Sequence, residues 1–406
     1  MRKYFIFFGL YFLMNNCLIS QTVNPELIKY VDFLKIQNTS AKDYIINLWQ
    51  KYDVVILCER NHGELTQYDL IYDIVKSDYF IHNVGNIFTE IGTISKQNEV
   101  LKFIKTDFSD STEKEKIILD LYRNIQYPCW EKSNFYFFLG KLNTLNAKLK
   151  NKFKVNLFVS GEKDPLYSEI NSKEDLKQFI KNDSIDRDML MAGNIIRLFD
   201  SIKKSNSSRK KCLVIMNYRH AFSKPISNEI DHYLNITNVG NILFDHYGKK
   251  TANVYLNSLA FTTAVEDTNK NVRFRDYMQT PIQKGKWDAS FKILNKENLG
   301  FDFQNSPFGE DSLDIWIWSK QYKYKDIFTG FVFYLPLEKH VEAFGIPNYL
   351  NDGFEDELYR RLVIFHEVYG GGKVIKDELK NQFKYSESKY DSIEQFNKEI
   401  NKWVVE

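Results

Sequence analysis

Cysteine, proline and glycine are sparse in this 406-residue sequence, with 4 Cys, 8 Pro and 18 Gly. That composition, with 43% hydrophobic and 27% charged residues, excludes a collagen-like, low-complexity or wholly disordered chain. An excess of one charge is missing too. Lys and Arg number 55 against 53 Asp and Glu, the signs are interspersed and no long basic run occurs, so nucleic acid is not an expected partner. There is no Cys-x-x-Cys pair and no His-Glu-x-x-His, which removes two common zinc signatures. Cys58, Cys129 and Cys212 are too scattered for a disulfide framework. Cys58 and Cys212 lie in apolar runs, where a buried free thiol is the expectation.

The N-terminus carries a positive signal. Arg2 and Lys3 precede an apolar run, Tyr4–Met14, which gives way to Asn15-Asn-Cys-Leu-Ile-Ser-Gln21. A basic start, a short apolar stretch and a polar end predict a secretory signal peptide over residues 1–20. The run falls short of the roughly 20 residues that a membrane span needs; the competing reading is a hydrophobic first helix of the fold. Cleavage near Ser20 removes two of the 55 basic residues and balances the charge. The chain is therefore expected to be exported, to a periplasm or out of the cell, with no stable membrane span afterwards. Lipidation at Cys17 is the weaker option, because Met14-Asn-Asn16 is a poor lipobox.

From Asp53 to Asp245 short apolar runs alternate with helical patterns. Val54–Cys58, Val84–Ile91, Val155–Val159 and Leu213–Met216 read as buried strands. Between them, Leu65–Ser77 has apolar positions Tyr68, Ile71, Tyr72 and Val75 at helical spacing. Thr112–Asn124 opens on the capping-box pattern Thr112-Glu-Lys-Glu115, Asn134–Asn151 has Ser133 as its candidate cap, and Ile185–Lys204 reads as one long helix. The expected fold class is α/β, with a mostly parallel central sheet covered by helices on both faces. Beyond Thr251 the chain is rich in aromatics and loops, with a further strand within Asp326–Tyr334. Helices at Asp356–Val368 and Ser386–Val404, joined through a flexible Gly370-Gly-Gly372, form a helical C-terminal extension over residues 346–406.

Parallel sheets place their chemistry at the C-terminal ends of the strands. After the first strand comes Glu59-Arg-Asn-His62-Gly63-Glu64, and the second ends on Glu90. Ser160-Gly-Glu-Lys-Asp164-Pro165 follows the third, and Asn217-Tyr-Arg-His220 the fourth. Two histidines and several carboxylates thus face one rim. A histidine titrates near neutrality and can take a proton from water, a carboxylate can fix its tautomer, and Gly63 would let the chain turn sharply. Arg187, Met191 and Asn194 of Arg187-Asp188-Met-Leu-Met191-Ala192-Gly-Asn194 share one helical face, where an inward Arg suits a carboxylate or an anionic substrate group.

This ordered set of segments, over roughly residues 50–345, resembles the erythromycin esterase family. The family's Gly-Glu-x-x-His-Gly is similar to Cys58-Glu59-Arg-Asn-His62-Gly63, its strand ending in Glu to Phe88-Thr-Glu90, and its Gly-x-Asp segment to Gly161-Glu-Lys-Asp164. Its Arg-Asp-x-x-Met-Ala-x-Asn helix is similar to Arg187–Asn194, and its His motif to Asn217–His220. The resemblance implies one α/β domain over residues 21–345 and an esterase-like hydrolase of a small-molecule substrate, with no metal and no cofactor. It implies His62 as general base on water, Glu59 and Glu90 orienting it, and His220 and Arg187 holding the oxyanion or substrate, with Asp164 and Asn194 as substrate-binding candidates. Cys58 replaces the family's first Gly, its next acidic position falls on Thr66, and its His-Asn-x-His becomes Asn217-Tyr-Arg-His220. Two other readings stand beside this one. In the first, Glu59, His62, Glu90 and His220 ligate a divalent ion in a metal-dependent hydrolase of the wider superfamily. In the second, a non-catalytic exported protein binds a ligand through Trp287, Phe301, Phe303, Phe308, Trp316 and Trp318.

Overall fold

Four apolar runs that are buried on both faces assemble the centre of a seven-stranded sheet, as parallel strands covered by helices require. The computed structural model describes residues 23–161, 167–182, 186–228, 233–263, 277–315 and 322–404. The expected signal peptide with Cys17, and Asp164, Trp316 and Trp318, lie outside the described residues. In chain order the sheet strands are β1 (Val54–Glu59), β2 (Asn86–Thr93), β3 (Asn156–Gly161), β4 (Cys212–Asn217), β5 (Thr251–Leu256), β6 (Asn298–Asp302) and β7 (Gly330–Tyr334). Their spatial order is β6-β7-β5-β1-β4-β2-β3, and only β6 runs antiparallel to its neighbour.

The alternation of side chains along the strands splits the core in two. Val55, Leu57, Ile87, Leu213 and Ile215 pack against helices that include α1 (Gln67–Val75), α2 (Ser133–Ala147) and the start of α4 (Phe354–Tyr369). Val54, Ile56, Phe88, Val214 and Met216 pack against α3 (Arg187–Lys204) and α5 (Ile393–Val404) on the other face. The α/β architecture is therefore as expected, and the C-terminal helices are built into both core layers. Phe354, Leu358 and Phe383 join the first, while Phe396 and Ile400 join the second. Among the described residues no helix is long and apolar enough to cross a membrane. Trp287, Phe301, Phe303 and Phe308 stack on one another and on Phe331 inside the second layer, which makes them core and not an open aromatic cleft. Cys58 and Cys212 are buried free thiols, and Cys129 is free.

Several local expectations are corrected. Asp110, not Thr112, caps the helix that begins at Ser111, its carboxylate accepting from the Thr112 N–H at 2.8 Å. Ser133 is the first residue of α2 and caps nothing. Gly370 ends α4 in the left-handed region, and the Gly370–Gly372 segment folds back on His366, whose Nδ1 lies 2.7 Å from the Gly372 carbonyl. The stretch read as loop after Thr251 begins with β5, hydrogen-bonded to β1 along five residue pairs. Asp326–Tyr334 opens with a helical turn, Tyr324–Ile327, before β7, and the last helix starts at Ile393, after a short strand at Ser386–Ser388.

Two glycines differ in what they do. Gly92 closes a register shift between Thr89 and Thr93 with φ +98°, and an added Cβ would stand 2.6 Å from Val159 Cγ1. The chain turns at Gly63 as expected, the Glu64 N–H donating to the Asn61 carbonyl at 2.9 Å. Gly63 lies outside the left-handed region, however, and an added Cβ would meet only ordinary contacts, the nearest 3.6 Å away, so the turn does not require a glycine. Gly92→Ala is accordingly expected to cost about 2–4 kcal/mol in urea unfolding, and Gly63→Ala no more than about 1 kcal/mol.

Candidate active site

β4 lies between β1 and β2, so the C-terminal ends of these three strands are neighbours, with Glu59 level with Asn217 and Thr89 level with Ile215. Glu59 rises on the side of the first core layer and Glu90 on the side of the second, where α3 packs. His62, three residues beyond β1, spans the gap. Its Nδ1 lies 2.7 Å from Glu59 Oε2 and its Nε2 3.6 Å from Glu90 Oε1.

The loop that presents His62 is pinned from below. Arg60 is fully buried. Its guanidinium pairs with Glu64 at 2.9 Å and donates to Asn257 Oδ1 at 2.6 Å and to the Asn257 and Tyr334 carbonyls. Gln67 accepts from the Arg60 N–H at 2.7 Å and donates to the Asn61 and Glu64 carbonyls. Asn134, at the start of α2, donates to the His62 carbonyl at 2.5 Å, and Trp130 stands edge-on to the imidazole with ring centroids 5.2 Å apart. Burial pushes the Glu64 carboxyl up, yet Arg60 holds it below the usual range, so the pair stays ionic.

Glu90 is the hub. Its Oε1 lies 3.2 Å from Arg187 Nη1, 3.3 Å from His220 Nε2 and 3.6 Å from His62 Nε2. Its Oε2 accepts from the Asn217 N–H at 2.9 Å, and Asn217 in turn donates to the Arg60 carbonyl. His220, on the helical turn after β4, is clamped from its other side by Asp188, with Nδ1 2.8 Å from Oδ1. Arg187 and Asp188 are the first two residues of α3, held in register by Asp186 as N-cap. A cavity of about 290 Å³ opens beside His220 and Asp188, lined also by Arg219, Phe222, Ile226 and Ile236.

No family model and no curated protein matches the chain. Solved structures do. An erythromycin esterase is among them. The matched form of that enzyme, a mutant in its open conformation, is 10% identical with a TM-score of 0.42, over 77% of this chain and 96% of its own. A Bacillus cereus protein matches at 13% identity and TM-score 0.43, over 75% of this chain and 96% of its own. A succinoglycan biosynthesis protein matches at 11% and 0.43, over 71% and 89%.

Of the residues singled out in the sequence, Glu59, His62, Glu90, Arg187 and His220 come together. Asn194 does not. It lies two turns along α3 and donates to the Ser160 carbonyl at 3.2 Å, tying α3 to β3. Asp164 lies outside the described residues. The sequence reading missed Asp188 as a partner, although it stands next to Arg187 in the same motif. It also missed the hydroxyl of Tyr68, which it counted as apolar.

The charges decide what the cluster can do. Burial works against a charged His62, but Glu59 and Glu90 outweigh it and push the ring up to about 10. His220 is likewise opposed by burial and raised to about 9 by Glu90 and Asp188. Glu90, despite burial, is held well below the usual range by His220 and His62. His62 and His220 are therefore charged at neutral pH, and with Arg187 they lie against the side chains of Glu59, Glu90 and Asp188. Both rings have each nitrogen turned to a carboxylate, and among the described residues no three His, Cys, Asp or Glu side chains form a metal-holding group.

A histidine raised in the folded state stabilises the fold fully below its unfolded value near 6.5, and that contribution is lost as pH rises through the folded value. For a depressed carboxyl such as Glu90 the contribution is lost as pH falls. The urea midpoint of the native chain is thus expected to decline between pH 6.5 and 10. In a His62→Gln, His220→Gln double variant it should decline less; parallel curves would contradict these assignments.

Proposed function

We propose that this chain is a hydrolase of an ester or related acyl bond, with His62 as the base that activates water. The observation that carries this reading is the Glu59–His62–Glu90 arrangement, a solvent-touching imidazole between two buried carboxylates at the ends of β1 and β2. Glu59 fixes the ring and steadies its charge once a proton has been taken. Arg187 and His220 supply positive charge on the far side of Glu90, where an oxyanion developing on the carbonyl would be stabilised. Asp164, which the family resemblance implies, is proposed as a substrate-side residue. The resemblance of the sequence motifs to the erythromycin esterase family agrees with this chemistry and does not specify the substrate.

A ring raised to about 10 is mostly protonated at rest, and only about one His62 in a thousand is the free base at pH 7. Proton loss must therefore precede attack on water. It follows that kcat/KM should climb about tenfold per pH unit from neutrality, flatten near pH 9 as His220 loses its charge, and fall beyond about 10. Arg2, Lys3 and the Tyr4–Met14 run support a further part of the proposal, that the enzyme acts outside the cytoplasm after residues 1–20 are removed.

The test is turnover by the mature chain on a panel of esters and lactones, macrolides included. His62→Ala is expected to fold normally and to lose about 10²- to 10⁴-fold in rate, and native turnover should survive chelators. Unchanged turnover in His62→Ala would remove His62 from the mechanism. Loss on chelation with recovery on adding zinc would replace this reading with a metal-dependent one built on the same residues.

A further inference from the structure

The dyad uses one oxygen of Glu59. Oε2 accepts from His62, whereas Oε1 is buried without a hydrogen-bond partner. A second buried group without a partner is the hydroxyl of Tyr68. Tyr68 is the second residue of α1, almost fully buried, with its ring edge-on to Phe138 at 5.3 Å. Tyr68 belongs to the core layer of Val55 and Leu57, the side of the sheet on which Glu59 rises, and apart from burial itself the Glu59 carboxylate is the strongest influence on that hydroxyl. A carboxylate oxygen and a phenol each left unpaired out of water are costly, and pairing with one another removes both costs.

Other groups near Glu59 are already committed. The Tyr122 phenol, close enough to feel Glu59, donates to the Lys132 carbonyl. His62 takes the other Glu59 oxygen, and Glu90 faces His62, His220 and Arg187. Packing alone does not call for the hydroxyl, because a phenylalanine would present the same ring to Phe138.

We propose that Tyr68 is a positioning residue of this site, its hydroxyl donating to Glu59 Oε1 and so setting how tightly Glu59 holds the His62 proton. The inference rests on the Glu59–His62 dyad of the proposed hydrolase. By sharing the negative charge of Glu59, the phenol weakens its pull on the imidazolium and makes the free base easier to reach. Without the hydroxyl the carboxylate keeps its full charge for His62, and the ring should titrate higher.

The experiment is Tyr68→Phe, read by ¹⁵N NMR titration of the His62 ring and by the pH profile of kcat/KM. His62 is expected to move up by about one pK unit. Turnover at neutral pH should drop about tenfold. Tyr72→Phe, one turn further along α1, should change neither. In a Glu59→Gln background Tyr68→Phe should add nothing, because the charged acceptor is gone. An unchanged His62 titration in Tyr68→Phe, or an equal shift in both backgrounds, would overturn the proposal. Should no ester be hydrolysed at all, the hydrolase reading falls, while the ring titration still decides the role of Tyr68.

Discussion

One carboxylate oxygen organises the site. Glu90 Oε1 is approached by an arginine and two imidazoles that come from three different segments of the chain. In a region shielded from water such an oxygen is stable only as an anion surrounded by cations, and those cations are stable there only because of it. Each partner is in turn held from behind, His62 by Glu59 and His220 by Asp188. The result is a set of three acidic and three basic side chains linked through Glu90.

The fold supplies this geometry through the placement of β4. Inserting the fourth strand between the first two brings the loop after β1, the end of β2 and the turn after β4 to one point of the sheet edge. Glu90 itself falls inside the register shift between Thr89 and Thr93, where a bulge re-aims side chains. Beneath the loop, the buried Arg60–Glu64 pair and its backbone acceptors fix where His62 emerges. His340, nearby in the interior, plays no part in the rim. Burial and Arg60 hold it down to about 3, with one ring nitrogen facing the Leu335 carbonyl and the other the Tyr390 hydroxyl.

Much of this was legible in the sequence, because buried parallel strands are apolar runs and the polar residues just after them must lie at one rim. That logic found Glu59, His62, Glu90 and His220, and helical spacing found Arg187. It overlooked β5, since Thr251-Ala-Asn-Val-Tyr-Leu256 carries a polar Asn253 in its middle. The fold satisfies that side chain with the Ala221 and Ile327 carbonyls, which no local pattern reveals. It placed Asn194 in the site, whereas the fold turns that residue to a carbonyl of β3. For Tyr68 the helical spacing told of the ring and was silent on the hydroxyl, because an amphipathic pattern counts a tyrosine as core. The cap at Asp110 was displaced by two residues, within the ordinary slack of helix starts.

The central claim is that Glu90, together with Glu59 at His62 and Asp188 at His220, keeps both histidines charged at neutral pH. Titration of the two imidazoles by ¹⁵N NMR, in the native chain and in Glu90→Gln, tests it most directly. The account predicts two rings still protonated at pH 8 in the native protein, and both falling together when the charge of Glu90 is removed. Native rings that titrate near 6.5, or a substitution that moves only one of them, would contradict it.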